Sequence, residues 1–182
     1  NMPSGATAGN ILFGPSSMPK YIKHDVLAEG GMGVVELCRR EGTDRWFAVK
    51  RPHPHLARER SHRDMFAHEG RLAQRVQAPN VVRVVDVGED ESGPFIAMQY
   101  IEGVALVDYL RSVGRPLSET MILAIVRDIA LGLAACHEPV AHGQPILHRD
   151  VSPQNVLLSF SGDALLFDFG IAKDPETPKT ST

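Results

Sequence analysis

The sequence predicts an α+β fold, in which strands and helices occupy separate parts of the chain. Five candidate strands lie within the first hundred residues and enclose one amphipathic helix, and a long helix with an apolar stripe follows them. A β-hairpin over 156–167, built around the turn Ser161-Gly162-Asp163, completes the pattern. The candidate strands are 21–28, 34–39, 46–50, 81–87 and 94–100.

The candidate strands are runs of strand-forming residues separated by turn residues. The turn 41–44 separates the second strand from the third, and an acidic turn with glycine at 89–93 separates the fourth from the fifth. In the third strand, alternation with a period of two places Ala48 and Lys50 on one face and Val49 on the other. One face of this strand is therefore expected to carry a cation.

The helices are predicted from apolar residues at helical spacing. The first covers 58–76, and its stripe consists of Met65, Leu72, Ala73 and Val76. A short helix is expected over 106–111, and a longer one begins at the N-cap residue Ser118 and ends at His137. The stripe of this long core helix consists of Ile122, Ile125, Val126, Ile129, Leu133 and Cys136.

Composition and charge are those of an ordinary soluble globular domain, with 43% hydrophobic and 23% charged residues among 182. The formal net charge of −3 gives no reason to expect nucleic-acid binding. No apolar run reaches the length of a membrane span, and residues 1–19 form a flexible leader that lacks the features of a signal peptide. Cys38 and Cys136 are expected to be buried thiols in a reducing compartment, which predicts a cytoplasmic location.

The stretch 146–170 carries the strongest chemical signal. It contains His148-Arg149-Asp150, then Asn155, and then Asp168-Phe169-Gly170 on the far side of the hairpin. Because the hairpin folds the chain back on itself, we expect Asp150, Asn155 and Asp168 to converge near its base. Carboxylate and carboxamide oxygens suit Mg²⁺, which commonly shares such ligands with substrate phosphates.

A glycine-rich loop, Gly30-Gly31-Met32-Gly33, joins the first two strands. One interpretation is structural, since a tight turn often requires positive φ angles that glycine adopts without strain. The other is functional, since a loop without side chains lets backbone N–H groups approach phosphates closely. The sequence of the loop alone leaves both interpretations open.

Glu69 falls inside the apolar stripe of the helix 58–76, four residues after Met65 and three before Leu72. A carboxylate on an apolar face is costly unless a cation meets it, and Lys50 at the end of the third strand is the available partner. The alternative is that Glu69 lies at the edge of the stripe and reaches water.

Taken in order from Tyr21 to about Lys173, these motifs resemble those of the protein kinase family. The matching elements are the glycine-rich loop, A-V-K with a helical glutamate, H-R-D with an asparagine five residues later, and D-F-G. The Gly-Gly-Met-Gly loop and the H-R-D-V-S-P-Q-N wording are similar to bacterial serine/threonine kinases of the eukaryotic-like type. The resemblance implies a five-stranded antiparallel N-lobe with one main helix over 20–101, and an incomplete, mostly helical C-lobe over 102–182.

The resemblance also implies an activity, namely transfer of the γ-phosphoryl group of ATP, with Mg²⁺, to a serine or threonine hydroxyl of a protein substrate. In that scheme Asp150 accepts the hydroxyl proton, Asn155 and Asp168 hold the metal, Lys50 holds the α- and β-phosphates, and Glu69 orients Lys50. Autophosphorylation is a further expectation, since residues that could carry activating phosphates follow D-F-G and Arg149 could pair with them. These residues are Thr177, Thr180, Ser181 and Thr182.

The implied nucleotide site lies between the lobes. Met98 is the expected gatekeeper, and backbone groups near Gln99 and Ile101 are expected to reach the adenine. The expected phosphate contacts are Lys50, Asp168 and the loop glycines Gly30, Gly31 and Gly33. The expected walls of the adenine slot are Leu27, Val35, Ala48 and Leu157.

The sequence departs from the family pattern at three places. Ala28 stands at the position of the first loop glycine, and Ser152 stands where serine/threonine kinases usually carry a lysine. The sequence also ends at Thr182, before the A-P-E element, so the chain is expected to be an incomplete catalytic domain that is inactive alone. Two alternatives therefore stay open: a pseudokinase-like nucleotide-binding scaffold, and a small-molecule kinase of related fold.

Overall fold

The computed structural model of the chain describes residues 20–138 and 145–169. Five antiparallel strands form the first sheet in the order β1-β2-β3-β5-β4, and three more form a second antiparallel sheet in the order β6-β7-β8. The strands are β1 (Tyr21–Gly30), β2 (Gly33–Arg40), β3 (Trp46–Pro52), β4 (Val84–Asp90), β5 (Gly93–Gln99), β6 (Gly103–Ala105), β7 (Val156–Ser159) and β8 (Ala164–Leu166). The helices are α1 (Pro54–Arg58), α2 (Arg60–Gln74), α3 (Leu106–Val113) and α4 (Glu119–His137), and a single 3₁₀ turn covers Pro153–Asn155. The predicted fold class is confirmed.

The five-stranded sheet separates two sets of side chains, as the alternation in β3 predicts. Phe47 and Val49 are buried on one face with Cys38 and Phe95, and the ring of Tyr21 packs edge-on against Phe47 and Phe95. Ala48 and Lys50 point to the other face. This second face is the one that α2 covers.

Helix α2 packs against β4 and β5 through its smallest residue. A Cβ added at Gly70 would lie 2.8 Å from Cγ1 of Ile96 and 2.9 Å from Cγ2 of Val87, so the helix approaches the sheet closely at this point. Ala73 follows one turn later and is 5% exposed. Because Glu69 directly precedes Gly70, this close approach carries the Glu69 carboxylate to the sheet and to Lys50.

Helix α4 forms the core of the second part of the described chain, where it packs against β8 and β7. Ile125, Ile129 and Leu133 pack against a buried cluster that includes Leu166. Ser118 caps the helix as predicted, accepting a hydrogen bond from the N–H of Met121 at 3.3 Å.

By length and apolar composition, α4 is the one helix among the described residues that could cross a membrane. Only 17% of this span is buried, but the face that packs against the sheet has the contacts of a core helix. Asp128, only 3% exposed, accepts a hydrogen bond from the N–H of Ala164 in β8 at 3.0 Å. A carboxylate built into the seam between helix and sheet in this way indicates packing within a folded domain.

The structure corrects several predicted boundaries. The helix predicted over 58–76 corresponds to α2, which covers Arg60–Gln74, and the extended Glu59 separates it from α1, which was not predicted. The fourth strand begins at Val84 and not at position 81, since the N–H of Val82 donates instead to the carbonyl of Leu166 at 2.9 Å. Strand β6 has no counterpart in the sequence-based prediction. The stripe of α4 is also narrower than predicted, because Ile122 and Val126 are 46% and 56% exposed.

Candidate active site

Lys50 lies between two carboxylates that come from distant parts of the chain. Its ammonium is 3.4 Å from Oε1 of Glu69 and makes a closer contact with Oδ1 of Asp168. Glu69 is 8% exposed, so the carboxylate on the apolar stripe is buried and meets its cation, as one of the two interpretations of the sequence required. The prediction that Lys50 and Glu69 pair is confirmed, and Asp168 joins them as a third member.

One ammonium shared by two carboxylates leaves an excess of negative charge. Burial raises the pKa of Glu69 to about 7, because the opposing attraction of Lys50 is weaker than the combined effect of desolvation and the neighbouring Asp168 carboxylate. Burial also disfavours the ammonium of Lys50, but the two carboxylates outweigh it and the pKa of Lys50 is raised. Lys50 is therefore charged at neutral pH, and the group as a whole favours additional positive charge.

Asp150 and Asn155 form a second polar pair. The amide nitrogen of Asn155 donates to the main-chain carbonyl of Asp150 and to its carboxylate oxygen Oδ2, each at 2.9 Å. The 3₁₀ turn holds Asn155 in place through its own N–H, which donates to the carbonyl of Ser152 at 2.9 Å. Because both side-chain bonds use the nitrogen, the amide oxygen of Asn155 is the atom able to ligate a cation.

Two residues of this region adopt the left-handed conformation that non-glycine residues rarely use. Arg149 and Asp168 both have φ of 60°. Such strain persists only where the surrounding structure enforces it, and it is concentrated at functional sites. Here Arg149 directly precedes Asp150, and Asp168 is itself one of the two strained residues.

His148 links the two loops that carry those carboxylates. Its ring is 1% exposed, its Nε2–H donates to the carbonyl of Phe167 at 3.1 Å, and it packs against the ring of Phe169 with centroids 4.8 Å apart. Burial lowers the pKa of His148, so the ring is neutral with its proton on Nε2. The buried Nδ1 is then an unprotonated acceptor, and it has no hydrogen-bond partner among the described residues.

The glycine-rich loop is a tight connection between β1 and β2, with Gly30 paired to Gly33. None of Gly30, Gly31 and Gly33 has a positive φ, so the structural interpretation of these glycines was wrong on that point. Gly33 is required for a different reason: a Cβ there would lie 2.0 Å from the carbonyl oxygen of Arg51. Gly30 and Gly31 have open space around them, which is compatible with close approach of a ligand to the backbone.

The expected adenine-slot residues lie on several elements. Val35 is paired with Lys50 across β2 and β3, and Ala48 is paired with Met98 across β3 and β5, so these four side chains share one face of the sheet. A cavity of about 20 Å³ lies behind them, lined in part by Lys50, Met98 and Phe169.

The remaining expected contacts lie at the edges of this region. Leu27 is 42% exposed on β1, and Leu157 is half-buried on β7. The N–H of Gln99 donates to the carbonyl of Arg83 at 2.9 Å, so a base could meet Gln99 through its carbonyl oxygen but not through its N–H. Ile101 lies just beyond β5, and Gly170 lies outside the described residues.

One residue close to this site has no signal in the sequence. His53, which follows β3, makes two hydrogen bonds to the glycine-rich loop. No motif contains it, and 23 residues separate it from Gly30. Only the tertiary structure brings it to the loop.

Comparison with known proteins identifies the arrangement. The family model described as "Protein kinase domain" matches residues 21–182. The chain belongs to the protein kinase family. Its Lys50–Glu69 pair and its two loops, with Asp150 and Asp168, are thus elements of a kinase domain.

Three relatives indicate the range of this similarity. The chain is 37% identical over 164 residues to the tyrosine-protein kinase MasK of Myxococcus xanthus, covering 84% of this chain and 25% of MasK. It is 35% identical over 161 residues to the serine/threonine-protein kinase PknH of Mycobacterium tuberculosis, covering 88% of this chain and 24% of PknH. The crystal structure of the Mycobacterium tuberculosis PknI kinase domain matches with a TM-score of 0.70 and 33% identity, over 85% of this chain and 61% of that one. The chain thus spans about a quarter of the length of the curated relatives and under two thirds of the solved domain.

Proposed function

We propose that the protein is an ATP-dependent protein kinase that phosphorylates serine or threonine hydroxyls of protein substrates. The observation that carries the proposal is the position of Lys50, whose ammonium is fixed between Glu69 and Asp168 on the same sheet face as Ala48 and Met98. A half-buried, charged lysine held in this way can neutralise phosphate oxygens without reorganising during the reaction.

The donor set of the site fits a divalent metal, and we propose Mg²⁺. Asn155 supplies a carboxamide oxygen and Asp168 a carboxylate, and the excess negative charge around Lys50 favours a cation nearby. Mg²⁺ is commonly held by one or two carboxylates together with substrate phosphates. When bound, Mg²⁺ would neutralise charge that develops on the phosphates.

Asp150 is the proposed acceptor of the substrate proton. In the transfer, the substrate oxygen bonds to the γ-phosphorus, the bond from that phosphorus to the β,γ-bridging oxygen breaks, and the hydroxyl proton passes to the Asp150 carboxylate. The hydrogen bond from Asn155 to Oδ2 orients this carboxylate. Lys50 stabilises the phosphates that remain on the leaving ADP.

Individual residues can be assigned to the phosphates and to the base of the nucleotide. We propose that Gly30, Gly31 and Gly33 approach the phosphates through their backbone, and that the base lies in a slot near Met98. The proposed slot residues and base contacts are Leu27, Val35, Ala48, Leu157, Gln99 and Ile101. Support is strongest for Val35 and Ala48, which share a sheet face with Lys50.

The proposal of serine and threonine over tyrosine rests on the sequence of the catalytic loop and on relatives such as PknH, which is named a serine/threonine-protein kinase. MasK, at slightly higher identity, is named a tyrosine-protein kinase. Ser152 can donate a hydrogen bond toward a phosphate but brings no charge. The amino acid that accepts the phosphoryl group is therefore identified directly in the assay described below.

We also propose autophosphorylation at Thr177, Thr180, Ser181 or Thr182, with Arg149 as a partner of the phosphate. These four residues lie outside the described part of the chain. A cytoplasmic location is proposed as well, and it is supported by the two buried cysteines, Cys38 and Cys136, neither of which is in a disulfide.

The test is a phosphoryl-transfer assay on the full-length protein with three classes of acceptor: a generic basic protein, small alcohols, and sugars. Transfer to the protein, followed by identification of phosphoserine, phosphothreonine or phosphotyrosine, is the expected result and names the acceptor. Lys50→Met serves as the inactive control. Transfer to small acceptors alone would establish a small-molecule kinase, and nucleotide binding without transfer would establish a scaffold.

A further inference from the structure

His53 contacts the glycine-rich loop through both its backbone and its ring. Its N–H donates to the carbonyl of Met32 at 3.2 Å, and its ring atom Nε2 lies 2.6 Å from the carbonyl oxygen of Gly30. A carbonyl oxygen can only accept, so Nε2 carries the proton and donates. One residue thus binds two backbone carbonyls of the loop.

These two bonds fix the direction of the loop amides. In a trans peptide the C=O and the following N–H point in opposite directions. Since the carbonyl of Gly30 points to the His53 ring, the N–H of Gly31 points away from it, whereas Gly33 is paired with Gly30 in the sheet. A loop oriented in this way keeps the two carbonyl oxygens away from a ligand on its opposite side and presents the N–H of Gly31 there.

Packing contributes little to the position of the loop tip. A Cβ built at Gly30 or at Gly31 would meet no atom within 4 Å, and the side chain of Met32 is 64% exposed. Both limbs of the loop belong to the sheet, where Gly30 is paired with Gly33 and Gly33 with Pro52. Gly31 and Met32 form the tip between the two strands, and the two bonds from His53 hold the carbonyls of Gly30 and Met32 at this tip.

We propose that His53 is a positioning residue that fixes the tip of the glycine-rich loop with the N–H of Gly31 directed at the phosphates of the nucleotide. The inference rests on the proposed nucleotide site, and it adds a residue and a specificity: His53 acts on the phosphates through the loop and has no part in holding the base. Ligands that carry phosphates should therefore depend on His53, and ligands without them should not.

The test compares His53→Ala, His53→Gln and His55→Ala in the full-length protein. His53→Ala keeps the backbone bond to Met32 and removes the ring donor, whereas His53→Gln offers an N–H donor of similar reach. His55 stacks on His53 with ring centroids 5.8 Å apart and makes no hydrogen bond to the loop, so His55→Ala is the matched control. The measurements are amide hydrogen exchange over residues 27–34 without nucleotide, and dissociation constants for Mg²⁺·ATP and for adenosine.

We expect His53→Ala to accelerate exchange in the loop and to weaken ATP binding by roughly three- to tenfold, as the loss of one hydrogen bond allows. Adenosine binding should not change, and His53→Gln should restore most of both losses. Equal weakening of ATP and adenosine would overturn the proposal, because it would indicate a general structural role. Unchanged exchange in His53→Ala would also overturn it. If the wild type bound neither ligand, the proposed function would fail, while the exchange data would still decide whether His53 restrains the loop.

Discussion

At the scale of single residues, Lys50 is the centre of charge in the site, since it compensates two carboxylates at once. Lys50→Met should leave the fold nearly intact and lower kcat/KM for phosphoryl transfer by orders of magnitude, because the cation at the developing phosphate charge is lost. Glu69→Ala should cause a smaller loss, since Asp168 still contacts the lysine. The measurement is the steady-state rate for both variants beside a thermal melt. A Glu69→Ala rate equal to that of the wild type would contradict a role for the buried pair.

Single substitutions of Asp168 and Asp150 should cause different functional defects. Asp168→Ala should weaken Mg²⁺·ATP binding, because a proposed metal ligand is lost. Asp150→Asn should spare binding and remove transfer, since an amide cannot accept the hydroxyl proton. Isothermal titration with Mg²⁺·ATP, beside single-turnover rates, checks both. Equal Mg²⁺·ATP affinity for Asp168→Ala and the wild type would remove the metal assignment.

Glu69 should also make the stability of the domain depend on pH. Its folded-state pKa of about 7 lies above the value in an unfolded chain, so the folded state binds the proton more tightly. The contribution of Glu69 to the free energy of unfolding is therefore present at low pH and is lost as the pH rises toward 7. Glu69→Gln cannot titrate and should show a flatter dependence in urea unfolding from pH 5 to 8. Glu41→Gln, on an exposed turn, is the control and should follow the wild type.

Much of this site could be predicted from sequence because its residues lie in short motifs. The pairing of Lys50 with Glu69 followed from a carboxylate placed on an apolar stripe, which requires a cation. The third partner, Asp168, and the loop contact of His53 could not be predicted as contacts. Each depends on how two distant elements are oriented in three dimensions, and no local periodicity records that orientation.

At the scale of elements, the prediction failed where tertiary contacts override local patterns. The run of β-branched residues from Val81 predicts a strand, but Val81 and Val82 pair with Leu166, so the sheet strand begins only at Val84. Similarly, Pro54 starts a separate short helix before α2, and the extended Glu59 ends it. The hydrophobic pattern locates each element, whereas its ends depend on which neighbour supplies the hydrogen bonds.

At Gly132 in α4, packing and helix propensity have opposite effects on the stability of a Gly132→Ala variant. In an exposed helix, replacing glycine with alanine is stabilising by about 1 kcal/mol. Here a Cβ would lie 2.7 Å from the carbonyl oxygen of Asn80, which also accepts a hydrogen bond from Leu166. Gly132→Ala should therefore lower the melting temperature. Ala130→Gly, at an exposed position of the same helix, should cost only the propensity term. An increase in melting temperature for Gly132→Ala would contradict the close approach of α4 to Asn80.

At the scale of the whole molecule, α4 carries apolar side chains that the other described residues, 20–138 and 145–169, leave exposed. Leu123, Val126 and Leu131 are 62%, 56% and 55% exposed, and Ile122 adds 46%. Phe160, on the turn between β7 and β8, is 75% exposed. Exposed apolar surface on this scale favours association. Leaving roughly 400 Å² of it in water forfeits about 10 kcal/mol at about 25 cal/mol per Å², which is comparable with the stability of a domain.

We therefore expect residues 1–182, produced alone, to be marginally stable, to self-associate, to bind Mg²⁺·ATP weakly and to transfer no phosphate to protein. Light scattering across a concentration series measures association, and a thermal melt with and without Mg²⁺·ATP measures stability and binding. The double variant Leu123→Glu with Val126→Glu should reduce association, since it places charge in the centre of the exposed face. Ile22→Glu changes an apolar residue that is equally exposed, at 51%, but lies on β1 and should leave association unchanged. A monomeric wild-type span with a sharp transition and steady kinase turnover would show that the uncovered face of α4 does not limit the stability or the activity of this part of the kinase domain.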